Sequence, residues 1–351
     1  MAGILVFSNV QVLASEVEKE ETPVTTAETE NEVVAEEDEK EEVKPTKEKD
    51  EESKPHKYLI SRIAGSDRYC TAQKATEAIM SSDIAVLASG ENESDALFGG
   101  PLAAQVSGPI LLTSKDKLPE GIDKTLKKLG TKFIYIIGGK AAVSEEVEAE
   151  LKELGYGISR IAGKDRVETA HLINLKTAEL RGVKVIGDLP SILVSGNEFA
   201  DALSSAPFAQ LAIQNTSYSR FIPYSGYTKS DDLVIGGFSS VPSGEEKERI
   251  AGEDRYETAL KIAEAHKKLL KEKKNLDVRR VVIVDGTNYP DALAAGPVES
   301  SLYAPILLTS PNKLHEGVAK FIIDNEIESV TIFGGRNSVS EDVESELRHL
   351  R

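Results

Sequence analysis

The sequence is poor in the residues that most metal and redox sites need. It has one cysteine, Cys70, and five histidines scattered through 351 residues. A single cysteine excludes an intramolecular disulfide and a cysteine-based metal cluster. The histidines show no His-Glu-x-x-His pattern and no other paired spacing typical of zinc sites. We therefore expect no metal and no cofactor.

Catalytic and nucleotide-binding signatures are missing as well. The chain has no Gly-x-Gly-x-x-Gly or Walker sequence and no serine in a Gly-x-Ser-x-Gly elbow. No Asp-x-Asp, the pattern of a Toprim-type metal site, occurs within 58–351. Paired carboxylates for glycoside hydrolysis stay open, because a sequence does not give their separation. The sequence thus predicts a protein that is not an enzyme, with no catalytic residues.

Positive net charge is also lacking, since the formal charge is -17. Residues 1–57 hold 17 Asp and Glu against 7 Lys, which leaves -7 for 58–351. A nucleic-acid-binding protein is expected to carry a basic patch, so we expect no nucleic acid partner. An anionic ligand is not excluded, because local arginines and helix N-termini act on it at short range.

The N-terminal apolar stretch is short. It runs from Ile4 to Ala14 and is too short to span a bilayer, so we expect no membrane span. Small residues before Ser15 resemble the end of a secretory h-region, although the usual Lys/Arg n-region is missing. We expect 1–14 to be a signal-peptide-like remnant of a secreted protein of the cell wall or cell surface; a merely apolar N-terminus is the alternative. Export without disulfides suits a Gram-positive surface protein.

Residues 15–57 form an acidic segment with no aromatic residue and with three prolines. A segment with few apolar groups and much like charge cannot offset the entropy lost on ordering. We expect a disordered linker there, with a functional acidic tail as the alternative.

One motif, Arg-Ile-Ala-Gly-x-Asp-Arg, occurs three times. Its glycines lie 98 and then 89 residues apart, so the period is that of a domain and not of a solenoid. Each copy is followed by Asp-Ala-Leu and then by an apolar run ending in Gly-Gly. The motifs begin at Arg62, Arg160 and Arg249, the Asp-Ala-Leu segments at Asp95, Asp201 and Asp291, and the Gly-Gly pairs at Gly138, Gly236 and Gly334. Three landmarks in the same order predict three copies of one module, at 58–156, 157–247 and 248–351.

Apolar runs of strand length alternate with segments of helical length in modules 1 and 3. This alternation predicts β-α-β units, parallel sheets and helices on both sheet faces. In module 2 the span from Ile222 to Gly236 is 14 residues, against 28 from Ile110 to Gly138. The span from Gly237 to the next motif is 12 residues, against 21 in module 1. Module 2 is therefore predicted to lack two helices.

Together these motifs, with Pro-Ile-Leu-Leu-Thr at 109–113 and 305–309, resemble the type 2 cell-wall-binding repeat. This repeat occurs, usually in three tandem copies, in surface-layer and cell-wall proteins of clostridial-type bacteria. The resemblance covers about 58–351. It implies Rossmann- or Toprim-like modules packed as a pseudo-threefold trimer, and non-covalent binding to an anionic secondary cell-wall polysaccharide. Other surface-layer proteins are further candidate partners.

Arg68, Arg166 and Arg255 are candidate polymer-binding residues, because each follows an aspartate placed to cap a helix N-terminus. An arginine there can hold a phosphate or carboxylate with help from the helix dipole. The alternative is a structural pairing with an acidic neighbour, perhaps across a module boundary.

Asp95, Asp201 and Asp291 are candidates because they lie where a strand ends and a helix begins, which is where α/β sheets bind ligands. Helix capping alone explains these aspartates and is the favoured interpretation, with binding of sugar hydroxyls as the alternative. The turn glycines Gly138, Gly139, Gly334 and Gly335 either allow a ligand to approach the backbone or simply make tight turns. Module 2 also contains a cluster of aromatic residues, which either stacks on sugar rings or packs over the gap left by the missing helix. Its members are Tyr218, Phe221, Tyr224 and Tyr227.

The favoured function is therefore anchoring to the cell wall through three modules. The alternatives are a wall-modifying hydrolase with its site in diverged module 2, and a surface-layer lattice protein.

Overall fold

The computed structural model describes residues 58–350 except 93–96, 184–188, 197, 227, 247, 288–291, 294 and 296–302. The predicted signal-peptide-like remnant and acidic linker lie outside these residues. Within the described part of the chain, three four-stranded sheets form, and every strand pair in them is parallel. The predicted α/β class with parallel sheets is confirmed.

Sheet 1 has the strand order β3-β2-β4-β5. Its strands are β2 (Ile84–Ser89), β3 (Ile110–Thr113), β4 (Phe133–Ile137) and β5 (Gly157–Ile161). The helices around it are α1 (Arg68–Ala75), α2 (Gly100–Gln105), α3 (Ile122–Leu129) and α4 (Glu145–Glu153). Helix α3 starts at Ile122 and not earlier, because Gly121 precedes it with a φ of 81° that no helix residue adopts.

Sheet 2 has the order β7-β6-β8-β9, and two helices accompany it among the described residues. Its strands are β6 (Ser191–Val194), β7 (Arg220–Pro223), β8 (Leu233–Ile235) and β9 (Glu248–Ile250), accompanied by α5 (Arg166–Leu180) and α6 (Phe199–Asn215). Among the described residues, no helix lies between β7 and β8 or between β8 and β9. That module 2 as a whole lacks two helices stays a prediction, in keeping with the loops seen at these two places.

Sheet 3 has the order β1-β12-β10-β11. Its strands are β1 (Leu59–Ile63), β10 (Arg280–Asp285), β11 (Ile306–Thr309) and β12 (Ser329–Phe333), and its helices are α7 (Arg255–Lys274), α8 (Glu316–Asp324) and α9 (Glu341–Arg348). The first strand of the chain thus pairs with the last one, with Leu59 opposite Ser329 and Ile63 opposite Phe333.

The first strand of every module joins the sheet of the module before it. Module 2 supplies β5 to sheet 1, module 3 supplies β9 to sheet 2, and module 1 supplies β1 to sheet 3. This exchange closes a cycle, as a pseudo-threefold arrangement requires. The boundaries between the sequence modules stay predictions, because each sheet takes strands from two modules.

Alternation along the central strands buries both faces of each sheet. In β2, Val86 and Ala88 join a core shared by all three modules, whereas Ala85 and Leu87 face an outer cluster with α3 and α4. A second outer cluster lies under α8 and α9. The outer cluster of sheet 2 is small and is built around Leu193, Val234 and Val241. The shared core therefore holds the modules together.

The aromatic cluster of module 2 serves packing. Phe221 is fully buried and contacts Phe98, with ring centroids 5.3 Å apart. Tyr224 packs on the outer cluster of sheet 2 and donates a hydrogen bond to the Pro242 carbonyl at 3.2 Å. Tyr218 packs against the shared core, and Tyr227 lies outside the described residues. The loops thus cover the sheet face that helices cover elsewhere.

Candidate functional site

Each motif forms a tight turn into a capped helix. The cap aspartates Asp67, Asp165 and Asp254 accept hydrogen bonds from the amides of residues three positions on, at 2.7 to 2.9 Å. The glycine before each cap is packed so closely that a Cβ atom at Gly163 would lie 2.5 Å from the Glu168 Cβ. The motif therefore sets the position of the helix N-terminus in every module.

The candidate arginines are anchored to backbone carbonyls. Each donates a hydrogen bond from Nη1 to the glycine carbonyl after the central strand of its own module. Arg68 bonds to Gly90 at 2.5 Å, Arg166 to Gly196 at 2.5 Å and Arg255 to Gly286 at 2.7 Å. One nitrogen of each guanidinium is thus committed to the fold, and the group is held at the carboxyl-terminal edge of the sheet.

Arg255 has an acidic partner in addition. Its Nη2 lies 3.8 Å from Oε2 of Glu198, which precedes α6 in module 2. This ion pair crosses a module boundary, as the structural alternative for these arginines proposed. Both groups are substantially exposed, so the pair contributes little to stability.

Sequence reasoning missed the arginines that open the motifs. Each arginine donates a hydrogen bond to the Gly-Gly turn of the sheet that its strand joins. Arg160 donates from Nη1 to the Gly138 carbonyl at 2.8 Å and from Nε to Glu148 at 2.9 Å. Arg62 and Arg249 make the same bonds to Gly334 and Gly236. The signal was present, because these arginines repeat three times with an acidic residue downstream of each Gly-Gly pair.

Two acidic partners of these arginines, Glu344 and Glu148, have lowered pKa values. The pKa of Glu344 is lowered by hydrogen bonds from Arg348 first and from Arg62 second. The pKa of Glu148 is lowered in the same way, by Lys152 and then by Arg160. These carboxylates are held ionised beside the arginines, which keeps the turn and the exchanged strand together.

The two glycines of each pair have different environments. Gly138, Gly236 and Gly334 have φ values of 102°, 113° and 112°, which side-chain-bearing residues rarely adopt. Their carbonyls are the ones taken by the motif arginines. A Cβ atom at Gly139 or Gly335 would meet nothing within 4 Å. The first glycine is thus required by the turn, and the second leaves the backbone open to an approaching group.

A crevice opens at the carboxyl-terminal edge of sheet 2, where module 2 meets module 3. We call it crevice 2/3. It has a volume of about 230 Å³ and is lined by Glu198, Ala200, Asp201, Gly237, Ser239, Ser240, Gly252, Glu253, Asp254, Arg255 and Thr258. After β6 the chain crosses to β7 on one side, and after β8 it crosses to β9 on the other. The crevice therefore lies at the switch point where open α/β sheets bind ligands.

Asp201 is the most unusual group in crevice 2/3. Its side chain lies in the first turn of α6 and is only 7% exposed, and a Cβ atom added at Gly236 would lie 2.8 Å from its Oδ2. The pKa of Asp201 is raised to about 6, first by burial and second by the Glu198 charge, and Arg255 partly opposes the shift. The other two candidate aspartates, Asp95 and Asp291, lie outside the described residues.

Among the described residues, no group of three or more His, Cys, Asp or Glu side chains is placed to hold a metal ion. No helix in that part of the chain is both long and apolar enough to cross a membrane.

Comparison with known proteins gives the family. A model described as Cell wall binding domain 2 matches residues 62–148, 160–245 and 249–344, which is most of the chain. The N-acetylmuramoyl-L-alanine amidase LytC of Bacillus subtilis is 29% identical over 307 residues, covering 83% of this chain and 58% of the relative. The amidase enhancer of the same organism is 29% identical over 299 residues, covering 82% of this chain and 40% of the relative.

Solved structures share the fold. Cwp8 from Clostridium difficile matches with a TM-score of 0.68 and 23% identity, over 84% of this chain and 52% of that one. Cwp6 from the same organism matches with a TM-score of 0.65 and 24% identity, over 80% and 46% of the two chains. The chain spans about half the length of the relatives it matches. The resemblance seen in the motifs is confirmed: the chain belongs to the Cell wall binding domain 2 family and associates with the cell wall through three repeated modules.

Proposed function

We propose that the chain anchors itself to the cell wall by binding an anionic secondary cell-wall polysaccharide non-covalently, with no reaction of its own. The observation that carries this proposal is the threefold repetition of one arrangement. In each module an arginine at a helix N-terminus is fixed by a glycine carbonyl at the edge of the sheet. Export of the chain and contact with other surface-layer proteins are further parts of the proposal.

The physical basis is preorganised attraction. The glycine carbonyl holds one side of the guanidinium, so little side-chain entropy is lost when another nitrogen binds a phosphate or carboxylate. The helix N-terminus adds partial positive charge at the same place. Lys140 and Arg336 follow the Gly-Gly turns of modules 1 and 3, and Lys164 precedes the cap aspartate of module 2. They add positive charge there, although Lys140 and Arg336 also pair with the exposed Glu145 and Glu341. These groups suit the anionic substituents of a wall polymer.

Three sites on one body also gain from multivalency. After one module binds, the other two meet the same polymer at a high effective concentration. Weak single contacts are then sufficient for firm attachment to a repeating chain.

The test is co-sedimentation of the full chain with purified Gram-positive cell walls, before and after acid extraction of the secondary polymers. We expect retention on intact walls and loss on extracted walls. The double variant Lys140→Glu with Lys164→Glu should weaken retention, whereas Lys127→Glu with Lys128→Glu on α3 should leave it unchanged. Equal retention on both wall preparations would contradict the proposal.

One observation favours the hydrolase alternative. Asp201, with its pKa raised to about 6, lines the crevice together with Glu198, and glycosidases use two carboxyl groups, one of them with a raised pKa as the general acid. Muropeptide release from walls by the wild-type chain, abolished in Asp201→Asn, would support a hydrolase. No release at high protein concentration would leave anchoring as the function.

A further inference from the structure

The three junctions between modules differ in charge. Six positions of the repeat correspond at the three junctions, and at the junction of modules 2 and 3 they are Glu198, Asp201, Phe238, Glu253, Asp254 and Arg255. At the junction of modules 2 and 3 these positions hold four carboxylates and one arginine. The corresponding residues at the other two junctions are Asn92, Asp95, Lys140, Lys164, Asp165 and Arg166, and Asn288, Asp291, Arg336, Ser66, Asp67 and Arg68. The formal charge at these positions is therefore -3 at the junction of modules 2 and 3, +1 at the junction of modules 1 and 2, and 0 at the junction of modules 3 and 1.

The single guanidinium that lines crevice 2/3 is already engaged. Arg255 donates to the Gly286 carbonyl and pairs with Glu198. It therefore offers less to an anionic ligand than its sequence position suggests. An anion entering this crevice would also meet Glu198, Asp201 and Glu253, and like charges disfavour its binding.

Asp201 points to the opposite kind of ligand. Among the described residues, none donates a hydrogen bond to its carboxylate, although the side chain is 93% buried and lines the crevice. A buried carboxylate without a donor is costly to maintain. The hydroxyl-bearing side chains of Ser239 and Ser240 line the same space and offer further acceptor oxygens.

We propose that crevice 2/3 binds a primary ammonium group carried by the wall polymer, while the other two junctions bind its anionic groups. An ammonium can donate one hydrogen bond to the buried Asp201 carboxylate and others to the Ser239 and Ser240 hydroxyls, and its positive charge suits the acidic lining that Glu198 and Glu253 add. A metal ion fits less well, because no three carboxylates among the described residues are close enough to share one. This inference rests on the proposed function, since it names a second group recognised on the same polymer.

The polymer ammonium has two chemical sources, an unacetylated amino sugar and an aminoacyl ester. The probes are chitotriose for the first and D-alanine methyl ester for the second, with tri-N-acetylchitotriose as the uncharged control. Binding to the full chain is measured by titration calorimetry at pH 7.5. We expect at least one charged probe to bind and the acetylated trisaccharide not to bind.

Two variants locate the binding. Asp201→Asn removes the buried charge and should weaken binding by about thirtyfold. Glu253→Lys, which installs the residue found at the corresponding Lys164, should weaken it by about fivefold. Glu153→Lys, an equal charge change on exposed α4, should leave affinity unchanged. Circular dichroism verifies that each variant is folded.

Three outcomes would overturn the inference: neither charged probe binds, the acetylated probe binds as well as the charged one, or Asp201→Asn and Glu253→Lys both bind like wild type. Wall sedimentation separates this result from the proposed function. Retention on intact walls without binding of either charged probe would reject the ammonium site and keep the anchor. Binding of a charged probe without retention on walls would support the ammonium site and reject the anchor.

Discussion

Nη1 of Arg62 donates a hydrogen bond to the carbonyl oxygen of Gly334 at 2.9 Å, across 272 residues of sequence. The same nitrogen bonds to the Val339 carbonyl at 2.9 Å, and Nη2 pairs with Glu344 at 3.0 Å. These bonds hold β1 on sheet 3 and so close the cycle of modules. Arg160 and Arg249 make the corresponding bonds between modules that are adjacent in sequence. Of the three arginines, Arg62 alone joins the two ends of the described chain.

Removing Arg62 should destabilise the whole fold. Arg62→Ala removes the hydrogen bonds to the Gly334 and Val339 carbonyls and leaves Glu344 with Arg348 as its remaining partner, so we expect the free energy of unfolding to fall by about 2–4 kcal/mol. Urea denaturation followed by circular dichroism measures the loss. Arg336→Ala, whose side chain is 74% exposed, is the matched control and should change stability by less than about 0.5 kcal/mol. Equal midpoints for the two variants would show that ring closure does not depend on Arg62.

The Gly-Gly turns allow a comparison between adjacent residues. Gly138→Ala forces a side chain onto a φ of 102° and should cost about 1–3 kcal/mol. Gly139→Ala meets nothing within 4 Å, so its effect should stay within about 1 kcal/mol and should favour stability. Thermal melts of the two variants provide the measurement. A greater loss in Gly139→Ala than in Gly138→Ala would refute this reading of the turn.

His266 should make the fold sensitive to mild acid. Burial in α7 lowers the pKa of His266 from 6.5 to about 4, against a small opposing effect from the Tyr303 backbone. The unfolded chain therefore binds a proton at His266 below about pH 6.5, whereas the folded chain binds it only below about pH 4. The free energy of unfolding should fall across this window by up to about 3 kcal/mol from this group. In His266→Gln the slope of stability against pH should be smaller by that amount; an unchanged slope would contradict the assignment.

Asp201 should act in the opposite direction. Its folded pKa of about 6 exceeds the ordinary 3.8, so its contribution is unfavourable above pH 6 and is relieved as the pH falls towards 3.8. Asp201→Asn should therefore be more stable than wild type at pH 7.5 by up to about 3 kcal/mol, and the difference should shrink by pH 4. Chemical denaturation at both pH values measures it. A variant less stable than wild type at pH 7.5 would show that the ionised carboxylate is needed for the fold.

The three anchored arginines can be tested together. In the triple variant Arg68→Ala, Arg166→Ala and Arg255→Ala, each module loses one hydrogen bond, worth about 1 kcal/mol. We expect the variant to stay folded by circular dichroism but to lose retention on cell walls. The triple Arg→Lys variant keeps the charges and should retain part of the binding. Unfolding of the alanine variant would assign these arginines to structure instead.

The local structure was largely readable from sequence. The short apolar run Phe133–Ile137 forms β4, and Ser144 caps α4 by accepting a hydrogen bond from the Val147 amide. Such features depend on neighbours in the chain, so a short window contains the information. The three modules and the missing helices of module 2 follow from the same kind of pattern, because repeated segments can be compared with one another.

The tertiary structure decided which sheet receives each strand and which partner each charge meets. Nothing local to Leu59–Ile63 distinguishes pairing within module 1 from pairing with β12, because a parallel edge strand fits any sheet of suitable register. The role of Arg62 and the burial of Asp201 likewise depend on groups brought together only when the cycle closes. Sequence thus determined the modules and their candidate residues, whereas the exchange of strands between modules created the crevice and its charge.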